Sequence, residues 1–195
     1  MRENLAGPLG ADVFIGLPSS LHDRVAELIP PPAPKPASPP DAIAGRAFIN
    51  PAIGAEVANT KAWREAQAPA GNGQASAQGV ARIYAALANG GVLDGVQIIS
   101  PRGVERMIEV RSDRPDRALG PRRWATGIAL NTGLYGPNAD TFGHSGWGGS
   151  FGCADRESGI AIGYVMNRMA GSLNDDPRAR RLAEAVFNAV GSAKS

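Results

Sequence analysis

Apolar residues recur every three or four positions in three stretches of the chain, which is the spacing of an amphipathic helix. The first stretch follows Ser76, an expected cap, and ends at Asn89-Gly90-Gly91; its apolar positions are Val80, Ile83, Tyr84 and Leu87. The second begins at Ser100-Pro101, a cap followed by a first-turn proline. The third begins at Asp176-Pro177 and ends before Gly191. The pattern therefore predicts three helices, each with one buried face.

Between the second and third helices the apolar period changes to two, which is the period of a strand. The alternation of Trp124, Thr126, Ile128 and Leu130 predicts one strand over 124–130. Further strands are predicted over 142–154 and 160–166, with a tight hairpin at 155–159. The strand at 160–166 is apolar on both faces, so both faces of its sheet must be covered. The predicted fold class is α+β, an antiparallel sheet with flanking helices.

The N-terminal third of the chain contains two irregular features. Residues 2–6 read as the tail of a helix that Gly7-Pro8 ends, and a natural domain seldom begins inside such an element. Residues 30–40 are rich in proline, which cannot continue a helix or a strand ladder, and they predict an extended surface loop. We expect residues 1–195 to form a single but partial domain, with the sheet and the last helix in 120–195.

Composition excludes several classes of function. The 195 residues are 43% hydrophobic, enough for one core, and the formal net charge is only +2, so no nucleic-acid partner is expected. Cys153 is the only cysteine, and His22 and His144 lie far apart, so neither a disulfide, a metal nor a cofactor is expected. No apolar run reaches the ~20 residues of a membrane span. The N-terminus has no apolar signal region, which predicts a cytoplasmic location.

Five glycines lie between positions 143 and 152, at the start of a predicted strand. Glycine weakens a strand, so this density indicates close approach of a backbone or a ligand. Gly148-Gly149-Ser150-Phe151-Gly152 fits the G-x-S-x-G pattern of a nucleophile elbow. That motif needs a helix after the serine and a histidine later in the chain. Here strands follow and no histidine comes after His144, so Ser150 is not favoured as a nucleophile.

The run His144-Ser145-Gly146-Trp147-Gly148-Gly149, ahead of a hairpin and a C-terminal helix, resembles the β-lactamase-like serine hydrolases. These include class C β-lactamases, DD-peptidases and family VIII carboxylesterases. Residues 4–12 and 68–91 also resemble segments of that family. The resemblance implies a C-terminal part of a β-lactamase/transpeptidase-like fold. It also implies that this run takes the place of a Lys-Thr-Gly motif on an edge strand that lines the active site.

The resemblance makes His144, Ser145, Gly146 and Trp147 the candidate catalytic residues. Gly146 would leave room for an acyl group, and the Trp147 N–H could form part of an oxyanion hole. The Trp147 ring could form a wall for the substrate. His144, where the family often has Lys, would be mostly neutral near pH 7 because the reference pKa of His is ~6.5. We therefore expect a small-molecule ester, and not a β-lactam, as the substrate.

The nucleophile of that family is missing from the sequence. Its mechanism needs a Ser with a Lys three residues later and a Tyr-x-Asn motif. The residues three before Lys35, Lys61 and Lys194 are Pro32, Ala58 and Gly191, and no Tyr precedes Asn at that spacing. We therefore expect an N-terminally truncated hydrolase that is inactive alone. Two alternatives stay open: half of a split enzyme completed by a separate N-terminal polypeptide, and a binding or scaffold module that uses the Pro-rich loop.

Overall fold

A computed structural model describes residues 1–31, 54–116, 119–171 and 176–193 of the chain. The α-helices within these ranges are α1 (Lys61–Glu65), α2 (Ala77–Ala88), α3 (Pro101–Ile108) and α4 (Pro177–Ala193). Shorter turns of π-helix or 3-10 helix span Arg2–Ala6, Ser19–Arg24 and Ala55–Asn59. The three helices predicted from apolar spacing are α2, α3 and α4.

Two small antiparallel pairs and one larger sheet contain the described strands. β1 (Val13–Ile15) pairs with β2 (Gly73–Ala75), and β3 (Val92–Leu93) pairs with β4 (Val96–Gln97). The larger sheet has five antiparallel strands in chain order: β5 (Arg123–Trp124), β6 (Ala129–Leu130), β7 (Phe142–Ser145), β8 (Phe151–Asp155) and β9 (Ile160–Tyr164). The predicted α+β class with an antiparallel sheet is confirmed.

The single strand predicted over 124–130 is wrong, because two short strands and a turn occupy that stretch. The N–H of Ala125 donates to the carbonyl of Ile128 at 2.9 Å, which closes the turn between β5 and β6. Gly127 lies in this turn with φ of +72°, a left-handed conformation that glycine adopts without strain. Alternating hydrophobicity does not reveal such a turn, since a tight hairpin can keep the same alternation.

The strand predicted over 142–154 is likewise two strands, β7 and β8, joined at residues 146–150. The N–H of Gly146 donates to the carbonyl of Ser150 at 2.8 Å and closes the hairpin. Gly148 and Gly149 have φ of +96° and +113°, so the glycine density marks a turn between strands. The predicted tight turn at 155–159 is confirmed as the link between β8 and β9.

The helices begin where the sequence places their caps. The Oγ atoms of Ser76 and Ser100 accept from the N–H groups of Gly79 and Gly103 at 2.9 and 3.1 Å. Asp176 Oδ1 accepts from the N–H of Arg178 at 2.9 Å. These contacts satisfy amides that have no partner inside the first turn of a helix.

Helices cover both faces of the five-stranded sheet, as the apolar composition of β9 requires. Gly152 and Gly163 face α2 so closely that an added Cβ would contact Tyr84 and Val80. On the opposite face, Ala183 and Phe187 of α4 pack in one core cluster with strand residues that include Phe151, Cys153 and Ile162. Side chains alternate between faces along a strand, so the two helices lie on opposite sides of the sheet. This layering leaves the β7–β8 turn at one end of the sheet.

The proline-rich segment predicted as a surface loop at 30–40 lies almost wholly outside the described residues. Only Pro30 and Pro31 of that segment belong to the described part of the chain. Its extended form, and a scaffold role that depends on it, remain predictions.

Candidate functional site

His144 and Ser145 lie at the end of β7, beyond the reach of β6. β6 pairs with Phe142 and Gly143, whereas His144 and Ser145 pair across the other side with Gly152 and Phe151 of β8. β7 is therefore the third of five strands and not an edge strand throughout, which corrects the expectation. Only its last two residues form a local edge, since β6 is two residues long and ends before it reaches them.

The turn that follows β7 presents Trp147 to solvent. The N–H of Gly149 donates to the carbonyl of Gly146 at 3.1 Å, and the φ of +96° at Gly148 fits the third position of a type II turn. Trp147, at the second position, is 44% exposed. Within the described part of the chain, the amide N–H of Trp147 has no hydrogen-bond partner. An exposed ring and an available N–H donor thus lie on the same residue.

The glycines of this turn face different surroundings. A Cβ added to Gly146 would meet only the Ser150 carbonyl, at 3.8 Å, so one side of this residue is open. A Cβ on Gly148 would approach Met166 and Met169, and one on Gly149 would overlap the carboxylate of Asp176. Gly148 and Gly149 are therefore packed against the protein, and the open side of the turn lies at Gly146 and Trp147.

His144 is exposed on one side and packs against Trp124 on another, with 5.7 Å between the ring centroids. Partial burial lowers the pKa of the imidazole below 6.5, and the positive charge of Arg122 lowers it further. A hydrogen bond with the backbone of Ser145 acts in the opposite direction. The ring is therefore mainly neutral at pH 7, in agreement with the expectation from its reference pKa.

Sequence reasoning missed two buried polar residues beneath β7, Arg122 and Tyr135. Arg122 is 6% exposed, and its Nη2 lies 3.4 Å from the Oγ of Ser145. Tyr135 is 2% exposed, and burial raises the pKa of its hydroxyl, while Ser145 and Arg122 near that hydroxyl act to lower it. No local sequence pattern predicts these contacts. Arg122 lies 23 positions before Ser145, and nothing in the sequence distinguishes it from the adjacent Arg123.

Ser150 is not arranged as a nucleophile. Its Oγ accepts a hydrogen bond from the N–H of Met166 at 3.2 Å, which ties the start of β8 to the end of β9. A nucleophilic serine needs a base within hydrogen-bond reach. Among the described residues no such base contacts Ser150. The geometry therefore supports a structural role for Ser150, and the G-x-S-x-G match does not mark a nucleophile elbow.

The three tyrosines lie in different elements, which are helix α2 for Tyr84, a loop for Tyr135 and strand β9 for Tyr164. Burial raises the pKa of Tyr84 far above its usual value of 10. A tyrosine that relays a proton near neutral pH needs a pKa shifted the other way. Neither Tyr84 nor Tyr135 is therefore prepared for that task.

The described residues contain neither a cluster of metal-binding side chains nor a membrane-spanning helix. Acidic, histidine and cysteine side chains nowhere gather in threes as ligands for a metal ion. None of the described helices combines the length and hydropathy needed to cross a bilayer.

The sequence and the fold match known proteins closely. The family model described as "Beta-lactamase" matches residues 1–187. Among curated proteins, "Esterase/beta-lactamase LipL" of Mycobacterium tuberculosis (strain ATCC 25618 / H37Rv) is 34% identical over 88% of this chain and 43% of its own length.

Two solved structures extend the comparison. A family VIII carboxylesterase is 44% identical with a TM-score of 0.89, over 96% of this chain and 50% of that chain. A penicillin-binding protein homologue from Caulobacter crescentus is 40% identical with a TM-score of 0.85, over 96% of this chain and 51% of that chain. The chain spans about half the length of each relative it matches.

Proposed function

The chain belongs to the β-lactamase family, and on that premise we propose that it is the C-terminal portion of a serine carboxylesterase and supplies one wall of its active site. The observation that carries the proposal is the β7–β8 turn. It carries an exposed Trp147, with an amide N–H that lacks a partner among the described residues, three positions after His144 at a local strand edge. The relatives named an esterase/β-lactamase and a family VIII carboxylesterase support the same reaction class.

In this proposal Ser145, Gly146 and Trp147 have separate roles, and His144 lies beside them as an uncharged group. The N–H of Trp147 donates to the carbonyl oxygen of the ester as negative charge develops on it. The open side of Gly146 admits the acyl group beside the strand. The exposed indole ring covers an apolar part of the substrate. The Oγ of Ser145 lies 3.4 Å from Nη2 of Arg122, and this contact keeps the end of β7 in place.

The protonation state of His144 supports an ester rather than a β-lactam as substrate. Burial and Arg122 both lower the pKa of the imidazole, so the ring carries little charge at pH 7. A neutral imidazole is a weak partner for the carboxylate of a β-lactam, because charge-assisted hydrogen bonds are the stronger ones. An uncharged ester needs no such anchor.

In this proposal the nucleophile comes from residues outside the 195 of this sequence, which contain no Ser-x-x-Lys. The relatives are about twice as long as the part that matches here, and this supports a segment elsewhere that carries the serine and its base. We propose that the chain alone does not hydrolyse esters. Whether that segment belongs to the same polypeptide or to a separate one is decided by complementation.

The test is to compare the 195-residue chain alone with the chain fused to the N-terminal half of the 44% identical carboxylesterase. We expect the chain alone to hydrolyse neither p-nitrophenyl esters nor nitrocefin and to resist labelling by a fluorophosphonate probe. The fusion should hydrolyse the ester. If separate N-terminal and C-terminal polypeptides also regain activity on mixing, the split arrangement is supported.

Trp147 provides the matched variants for the fused protein. Trp147→Pro removes the N–H donor and should lower kcat by ~10²- to 10³-fold, the usual effect of losing one oxyanion donor. Trp147→Phe keeps both the N–H and an aromatic ring and should retain most activity. The proposal fails if the chain alone is active and Ser150→Ala abolishes that activity, since Ser150 would then be the nucleophile.

A further inference from the structure

The carbonyl of Gly148, one residue after Trp147, accepts hydrogen bonds from two later parts of the chain. It accepts from the N–H of Ala170 at 2.8 Å, and Nη2 of Arg178 lies 3.4 Å away. The N–H of the same peptide unit, on Gly149, donates back to Gly146. This peptide is therefore fixed at both ends, while its neighbour Trp147 faces solvent.

The group that aligns Arg178 is the buried carboxylate of Asp176, whose side chain is 2% exposed. Arg178 Nη2 lies 2.6 Å from Oδ2, and Nε lies 3.0 Å from each carboxylate oxygen, so the pair is bidentate. The carboxylate also lies against Gly149, where a side chain would overlap it. Asp176 and the first turn of α4 thus pack against the turn that carries Trp147.

We propose that the Asp176–Arg178 pair is a positioning element that holds the turn at residues 146–149, and with it Trp147, in the orientation seen here. Asp176 is buried and Arg178 contacts the carbonyl of Gly148, so the pair acts on Trp147 through the backbone. Its value for catalysis rests on the function proposed for Trp147. The positioning itself is a property of the chain and can be measured without any substrate.

Helix capping alone does not account for this arrangement. A cap needs one oxygen, and Oδ1 already accepts from the N–H of Arg178. Oδ2 has no part in that hydrogen bond and contacts the guanidinium instead. Asparagine caps helices as well as aspartate does but cannot form an ion pair. Asp176→Asn therefore separates capping from positioning.

The test is hydrogen exchange of the 195-residue chain, followed by mass spectrometry of peptides that cover residues 142–151. Arg178→Ala removes the hydrogen bond that the charged guanidinium donates to the carbonyl of Gly148. We expect hydrogen exchange at the turn to accelerate about tenfold as a result. Asp176→Asn should give a similar local acceleration. Arg181→Ala removes an exposed arginine from the same helix and should leave the turn unchanged.

The distribution of the change decides between positioning and general stability. Acceleration confined to the turn in both Arg178→Ala and Asp176→Asn supports the proposal. Unchanged exchange at the turn, or a uniform acceleration that also includes β8 and α2, overturns it. Arg178→Lys retains the charge but not the bidentate geometry, and we expect it to restore protection only in part. Because no catalysis is measured, failure of the proposed esterase function would not affect this result.

Discussion

At the scale of single residues, the environment of His144 differs from that of an ordinary surface histidine. One side of its imidazole packs on Trp124, and the field of Arg122 disfavours the protonated form. Arg122 is buried and also lies near Ser145, so one guanidinium influences both side chains at the end of β7. A change at Arg122 should therefore affect both the pKa of His144 and the contact with Ser145.

Removing the charge of Arg122 should raise the pKa of His144. In Arg122→Gln the imidazolium no longer meets a nearby positive charge, so protonation becomes easier and the pKa rises toward its ordinary value. NMR titration of the imidazole protons measures this shift, and His22→Gln assigns the resonances. Arg123→Gln removes the charge of the adjacent, exposed arginine and should leave the titration unchanged. An unchanged or lowered pKa in Arg122→Gln would contradict the assignment.

At the scale of elements, the contact between α2 and the sheet depends on small residues in β8 and β9. Gly152 lies under Tyr84 and Val80, and Gly163 lies under the backbone of α2 at Ala77 and Ala81. Neither glycine has a positive φ, so conformational freedom is not the reason for their presence. They permit a helix to pack directly on a strand backbone.

Gly152→Ala should destabilise the chain by about 1–3 kcal/mol, the usual effect of overpacking a core. The new methyl group would overlap the ring of Tyr84, and either the helix or the ring must move. Gly73→Ala in β2 is the control, because an added Cβ there meets nothing within 4 Å. Thermal denaturation followed by circular dichroism measures both. Equal midpoints for the two variants would show that α2 does not pack as closely as described.

Sequence patterns identified the elements whose signals are local. Ser76, Ser100 and Asp176 each cap a helix through a contact two or three residues away, so their signatures lie within one turn of chain. The sequence pattern does not predict the break between β5 and β6, because the alternating pattern over 124–130 continues on both sides of Gly127. For the site, the sequence indicated the run from His144 to Trp147. It gave no sign of Arg122 or of the contact between Arg178 and the turn, since both join residues more than 20 positions apart.

At the scale of the whole molecule, β9 is the last strand of the five-stranded sheet in the described part of the chain. No described strand pairs with the outer edge of β9, and the bridge of Ile29 to Arg168 lies beyond the end of this strand. Val165, just beyond this strand, and Leu182 on α4 are exposed apolar residues. A strand edge with no described partner, followed by an exposed apolar residue such as Val165, favours association with another strand.

We therefore expect the isolated 195-residue chain to be poorly soluble or oligomeric. Sedimentation velocity over a range of concentrations would reveal the association as a rise in mean sedimentation coefficient. A lysine at the outer edge should reduce it, as in Val165→Lys, because a charge opposes edge-to-edge pairing. Leu182→Lys adds the same charge to an exposed position of α4 and not to the end of β9, and it should have less effect. A monomer with one cooperative calorimetric transition would instead show that the chain folds as an independent domain, and the proposed dependence on another segment would then concern the nucleophile alone.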